Sequence, residues 1–433
     1  MSESTNNESI GYWSVIAIGI GGMVGGGIFA VLGLAVKMAG GGTPIAFLLA
    51  GIIALITSYS YTKLSLKYPS QGGTVEFLNK AFGGGYFTGS VNVLLWISYI
   101  IMLSLYAFAF GSYASNLIHG GQEFWKYIFT SSVIVIFTIL NISGAKIVGE
   151  SEEYIVIIKI VILLFFVAVG LASVKTSNVT PSAWKDPISL FAGGMIIFVA
   201  YEGFELIANT ADNVKNPKKT LPRAYFSAIG FVIILYILVS LVTVGNLSID
   251  KIVSAKDYAL AAAAKPFLGM FGFTLIAIAA MLSTASAINA TLYGAAKVSF
   301  VIAKDGELPV QLEKKVWRKP IEGLLISAAL TLIVANLFDL SGISTMGSAG
   351  FLVIFAAVNA ANIKLSSETK SKKWISILGV ITCTLALISL IIKTIEQSPS
   401  NLWLLLILFG LSFLIEGIYR KFRGKDLQPV IPE

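Results

Sequence analysis

Gly19-Ile20-Gly21-Gly22-Met23-Val24-Gly25-Gly26-Gly27 packs six glycines into nine residues of an otherwise apolar span. A helix that crosses lipid normally needs about 20 apolar residues in unbroken register. Each glycine costs roughly 1 kcal/mol of helix propensity relative to alanine. Irregular backbone survives at membrane depth only where protein or a watery cavity satisfies its N–H and C=O groups. The run therefore predicts a broken helix lining a site inside a bilayer. A second reading is close helix packing through Gly21/Gly25 or Gly22/Gly26, although packing alone needs fewer glycines.

The rest of the 433-residue chain supports a membrane setting, being 56% hydrophobic and only 12% charged. Soluble domains carry about 25% charged residues. The apolar runs are long and do not alternate, which argues against an outer-membrane barrel. With one cysteine (Cys383) and one histidine (His119), neither an internal disulfide nor a His-pair metal site is expected. The segment before the first span has acids and no basic residue, so that span reads as a retained helix and not a cleavable leader.

Twelve spans are expected, at about 11–38, 44–66, 86–117, 125–142, 153–174, 189–210, 223–246, 267–300, 321–338, 342–363, 374–393 and 400–419. A short external helix is expected within Ser248–Ala264. With the N-terminus in the cytoplasm, 22 of the 31 Lys and Arg fall in inner segments and 7 in outer ones. Lys37 and Lys159 lie within spans. This split predicts both termini inside, and the basic tail Arg420–Lys425 reads as a headgroup anchor, not a nucleic-acid arm. No linker divides the chain, so one transporter domain is expected: repeat one at 11–174, repeat two at 189–363, and two extra helices at 374–419.

The sixth span contains Val199-Ala200-Tyr201-Glu202-Gly203-Phe204-Glu205, two acids flanking a glycine. A charge at a helix centre costs on the order of 3 kcal/mol on insertion scales, so such groups face a cavity or a partner. The alternative is two acids snorkelling at the end of the span. Breaks in spans one and six are five spans apart, as in an inverted five-plus-five repeat whose discontinuous helices meet at the midplane. There, amides at a half-helix N-terminus suit a carboxylate, and freed carbonyls suit an ammonium. Together they match a zwitterionic amino acid.

Lys159 is the clear cation inside an apolar run, Tyr154 to Leu164. Its ammonium must find oxygen partners or lose its proton, which makes it a candidate proton carrier. Pairing with Glu152 or Glu153, or snorkelling, is the alternative. Ser283, Thr284 and Ser286 are candidate oxygens for a cation, or bond back to their own helix. His119 reads as a surface loop residue and Cys383 as a small packing residue. Dinucleotide, Walker, HExxH and GxSxG motifs are absent, so no cofactor, metal or enzyme activity is expected.

Four ordered motifs lie on the expected inner side or in the first break: Gly25-Gly26-Gly27-Ile28-Phe29, Tyr68-Pro69-Ser70-Gln71-Gly72-Gly73, Lys215-Asn216-Pro217-Lys218-Lys219, and Ala303-Lys304-Asp305-Gly306-Glu307-Leu308-Pro309. This set resembles the amino acid–polyamine–organocation (APC) transporter superfamily over nearly the whole chain. Within it the chain looks most like the archaeal and bacterial proton-coupled, broad-specificity amino acid transporters of the ApcT type. The resemblance implies the all-α LeuT-type fold, with about twelve transmembrane helices and helices one and six broken. It further implies proton-coupled uptake of L-amino acids across a prokaryotic cell membrane. Alternatives are an exchanger without proton coupling and a non-transporting receptor or subunit.

Carried over by position, the amides of Gly25, Gly26 and Gly27 would hold the substrate carboxylate. Carbonyls of Met23, Val199 and Glu202 would take its ammonium, and Tyr201 and Gly203 would shape the pocket. The resemblance also implies that Lys159 replaces a sodium ion, near the Gly21 carbonyl and the hydroxyls of Ser283 and Ser286. Glu202 stands where an apolar residue is common; a carboxylate there either favours cationic substrates or points away.

Overall fold

A computed structural model describes residues 9–119, 123–143, 147–304, 306 and 321–423. Among them the chain is helical without a β-strand. Two isolated bridges tie Ile10 to Val214 and Gly40 to Trp184. Among the described residues nine helices are long and apolar enough to cross a membrane, or eleven spans when each of two bent pairs is counted as one.

The first bent pair is α1 (Tyr12–Met23) and α2 (Gly27–Ala39), which meet at 45° across Val24, Gly25 and Gly26. There follow α3 (Thr43–Lys67), the short α4 (Thr74–Phe82), α5 (Tyr86–His119), α6 (Glu123–Ser143) and α7 (Ile147–Gly170). The second bent pair is α8 (Pro187–Ile196) and a 3-10 helix over Phe198–Asn213, meeting at 43°. Asp186 caps α8 by accepting the Ser189 amide at 2.9 Å, with Pro187 at the first helical position.

The second half continues with α9 (Pro217–Asn246), α10 (Ile249–Ala255), α11 (Ala259–Lys304) and α12 (Ile321–Leu337). It closes with α13 (Leu340–Lys364), α14 (Ser366–Thr369), α15 (Lys373–Gln397) and α16 (Asn401–Arg423). The helix expected within Ser248–Ala264 is split: α10 ends before Lys256, and Ala259 onward already belongs to α11. That long helix kinks at Gly269, whose φ of 61° is a conformation only glycine adopts without strain.

Helix α5 runs through the middle of the bundle and is the most enclosed of the long helices. The flanks of α6, α7, α15 and α16 leave Ile136, Ile139, Val161, Leu385 and Leu406 exposed, and such apolar faces suit lipid. Inside, Asn359 and Asn362 on α13 bond to Ser60 on α3, and Asn362 also reaches Ser376 on α15 at 2.8 Å. Interhelical hydrogen bonds of this kind fix helix register where burial of apolar surface gives no driving force.

Candidate functional site: two helix breaks

The end of α1 raises an accounting question, because its last carbonyls lack intrahelical donors. Three side chains from three other helices answer it. Lys159 on α7 donates from Nζ to the Gly21 carbonyl at 3.1 Å and is only 1% exposed. Tyr236 on α9 donates its hydroxyl to the Met23 carbonyl at 2.6 Å and reaches the Ala200 carbonyl at 3.2 Å. Ser283 on α11 donates to the Val24 carbonyl at 2.5 Å. A cation at this position also faces the negative end of the α1 dipole.

Beyond the break the polarity reverses. Helix α2 begins at Gly27, so its first-turn amides have no intrahelical acceptors. Among the described residues, no backbone hydrogen bond is made by the amides of Gly26, Gly27 or Ile28. The Gly25 amide differs, donating to the Gly22 carbonyl at 3.2 Å. The ring of Tyr106 on α5 lies against Gly26, since a Cβ there would come 3.0 Å from its Cε1.

The glycine run does two jobs. Gly22 abuts the carbonyl of Gly203, Gly27 abuts the backbone of Ala200, and Gly19 abuts Ile207. Gly22 and Gly27 let the two broken spans cross backbone to backbone and Gly19 makes room for the Ile207 side chain, so close packing accounts for part of the run. Gly25 and Gly26 instead occupy the break itself.

The sixth span departs from the sequence reading. Its bend lies at Ile197, not around Gly203, and Val199, Tyr201, Glu202 and Gly203 all sit within the 3-10 helix. Carbonyls inside such a helix serve its own i→i+3 bonding, so those of Val199 and Glu202 are not freed as the glycine suggested. The cause is on α13. Ser344 and Ser348 both donate to the Ile196 carbonyl, at 2.7 and 3.0 Å, and the Val199 amide donates to Ser348 Oγ at 3.1 Å. These hydroxyls satisfy the bend six residues before Gly203 and leave Gly203 for the crossing.

Tyr201 is fully buried, donates to the Phe47 carbonyl at 2.9 Å and stacks edge-on against Tyr236. The acids do not snorkel; both are buried. Glu205 accepts hydroxyls from Tyr99, Tyr61 and Thr74, so it joins α3, α4 and α5. Among the described residues, Glu202 accepts only a long bond, 3.4 Å, from Tyr106 to Oε1, and its buried Oε2 has no partner.

Ser286 is buried, but no hydrogen bond brings it to Lys159 among the described residues, and Thr284 bonds back to Ala280 of its own helix. Ser283 meets the first span at Val24, three residues beyond the carbonyl that Lys159 takes. Cys383 is buried beside Thr57. The side chains of His119, Glu152 and Glu153 and most of the Ala303–Pro309 motif lie outside the described residues.

A cavity of about 30 Å³ lies between α2, α8, α13 and α15, with Ile196 of the second bend in its lining and room for a water or two. Tyr106, Tyr236, Tyr99, Tyr61, Ser344 and Ser348 were missed from the sequence. The i,i+4 pair Ser344/Ser348 within an apolar run was the one readable signal.

A family model described as amino acid permease matches residues 10–413. The chain belongs to this family. It is 41% identical over 378 residues to an uncharacterised protein of Methanocaldococcus jannaschii, covering 87% of each chain. It is also 33% identical over 405 residues to the inner membrane transport protein YbaT of Escherichia coli, covering 93% of this chain and 94% of that one. A branched-chain amino acid permease, BcaP of Bacillus subtilis, is 23% identical over 385 residues, 84% and 82% of the two chains. The permease is thus a multi-pass transporter of the APC superfamily, not an enzyme.

Proposed function

We propose that this permease is a secondary active transporter that takes up L-amino acids together with protons by alternating access. It would sit in a prokaryotic cell membrane with both termini in the cytoplasm, on a LeuT-type scaffold of twelve spans with a five-plus-five inverted repeat. The substrate carboxylate would dock on the amides at the start of α2, beside Gly25, Gly26 and Gly27. Its ammonium would face the carbonyl side of the first break, at Met23, since the Val199 and Glu202 carbonyls sit inside the 3-10 helix. Tyr236 leaves the Met23 carbonyl one lone pair for this, since a carbonyl oxygen carries two.

The observation that supports proton coupling is the bond from Lys159 Nζ to the Gly21 carbonyl. A charged Lys159 ties α7 to the end of α1, whereas a neutral amine gives up most of that attraction. The proton on Lys159 therefore biases the first break between two arrangements, and substrate adds to the bias only through differential affinity for them. Tyr106 over Gly26 and the backbone crossings at Gly22 and Gly27 describe a closed arrangement. Opening requires Tyr106 to leave the α2 terminus.

The test is uptake of a labelled neutral amino acid into empty proteoliposomes with acid outside. Accumulation abolished by a protonophore is the expected result. Uptake that needs vesicles preloaded with unlabelled amino acid, and ignores the pH gradient, identifies an exchanger instead. Binding without flux identifies a receptor.

A further inference from the structure

Among the buried polar side chains described in the two broken spans, the one left incomplete is Glu202. Its side chain is 3% exposed, its Oε1 has only the 3.4 Å contact with the Tyr106 hydroxyl, and Oε2 has no partner among the described residues. Glu205, one 3-10 turn further on the same face, is the internal contrast: three hydroxyls converge on it. Glu205 is built into the bundle, whereas Glu202 holds acceptor capacity that the protein leaves unfilled. A buried carboxylate in that condition carries a large desolvation penalty unless a cation joins it.

The position of Tyr106 makes the missing partner specific. Its hydroxyl is the weak contact to Glu202, while its ring covers Gly26, where α2 offers its amides. One side chain thus occupies both the anion end of the break and the carboxylate across from it. A group that outcompetes the hydroxyl at Glu202 removes what holds the ring over Gly26. At 3.4 Å the Tyr106 hydroxyl holds the carboxylate weakly, whereas an ammonium or guanidinium adds a full opposite charge to a short hydrogen bond, so a cation wins that exchange.

We propose that Glu202 is a specificity determinant for the side-chain cation of basic L-amino acids, and that this cation displaces Tyr106 from the start of α2. The proposal rests on the transport reading above and adds the substrate class. One molecule would then fill three places: its α-carboxylate at α2, its α-ammonium at the carbonyls, its side-chain cation at Glu202.

Lysine and norleucine test it on the wild-type protein, because they share both α-groups and chain length and differ in the terminal ammonium. Half-saturating concentrations come from thermal stabilisation of the purified full-length permease. Lysine is expected to act at a concentration at least tenfold below norleucine. In Glu202→Gln the lysine-to-norleucine preference should shrink to threefold or less. In Tyr106→Phe, which lacks the competing hydroxyl, it should be retained or grow. Should Glu202→Gln fail to fold, the wild-type ratio and Tyr106→Phe still decide the matter. Equal or better binding of norleucine by wild type overturns the proposal, as does an unchanged preference in a folded Glu202→Gln. Stabilisation and uptake with alanine or leucine but not lysine sinks this proposal and leaves the transport reading standing; no response to any amino acid sinks both.

Discussion

Gly22 and Gly203 meet backbone to backbone: a Cβ on Gly22 would stand 2.7 Å from the Gly203 carbonyl oxygen, and one on Gly203 would stand 2.5 Å from the Met23 amide nitrogen. Neither atom is the end of a flexible side chain, so neither can move aside cheaply. The crossing sets how closely the two breaks approach and therefore what can be bound between them.

Gly203→Ala is expected to be damaging. Overpacking a tight interior costs about 1–3 kcal/mol, and backbone on the receiving side places this change at the upper end. The melting temperature in detergent should fall and uptake should drop at least tenfold. Gly230→Ala, on α9 where an added Cβ meets nothing within 4 Å, is the control and should behave as wild type. Equal behaviour of the two variants would remove the crossing from the account.

Glu205 gives a second prediction. Glu205→Ala leaves the Tyr99 hydroxyl without its acceptor in a buried site, whereas Tyr61 and Thr74 still bond to each other at 2.9 Å. An orphaned buried hydroxyl costs about 1–3 kcal/mol, before the cavity is counted. Glu205→Gln keeps an acceptor in place and should lose less than half as much. Thermal unfolding of the two variants measures this; an alanine variant as stable as the glutamine one contradicts it.

Acid should weaken the second break through Asp186, which precedes its first helix. Hydrogen bonds from Ser189, first its side chain and then its amide, hold the Asp186 carboxyl below its ordinary value, and Lys393 adds to the effect. The folded value is the lower one. Its stabilisation is therefore fully present above the unfolded value of about 3.9 and disappears as pH falls through the folded value. Asp186→Asn keeps a capping oxygen without titrating. Below about pH 4 the wild type should lose melting temperature faster than Asp186→Asn; parallel curves would rule the cap out as an acid-sensitive element.

Much of the fold was legible because apolar length and glycine punctuation are local signals. The first break fell where the glycines lie, and each expected span has a helix over it. The second break was placed within Val199–Glu205, around its glycine, and is found at Ile197. Glycine marks where backbone must come close as well as where a helix ends, and Gly203 serves the first purpose. What ends α8 is a pair of hydroxyls on α13, about 150 residues away in sequence, which no local pattern announces. The tyrosines escaped notice for the same reason. Tyr106 and Tyr236 look like ordinary span aromatics until the carbonyl, amide or carboxylate beside each is known. Lys159 and the two acids stood out because a charge in an apolar run needs explaining on its own.

The central claim is that the proton on Lys159 couples to movement of the first break. Initial uptake of labelled amino acid into proteoliposomes, measured across external pH for wild type and Lys159→Ala, tests it most directly. Wild-type uptake should rise as the outside is acidified. Lys159→Ala, folded by its melting curve and still binding substrate, should show a flat profile. A folded variant whose uptake keeps the wild-type pH dependence would contradict the account.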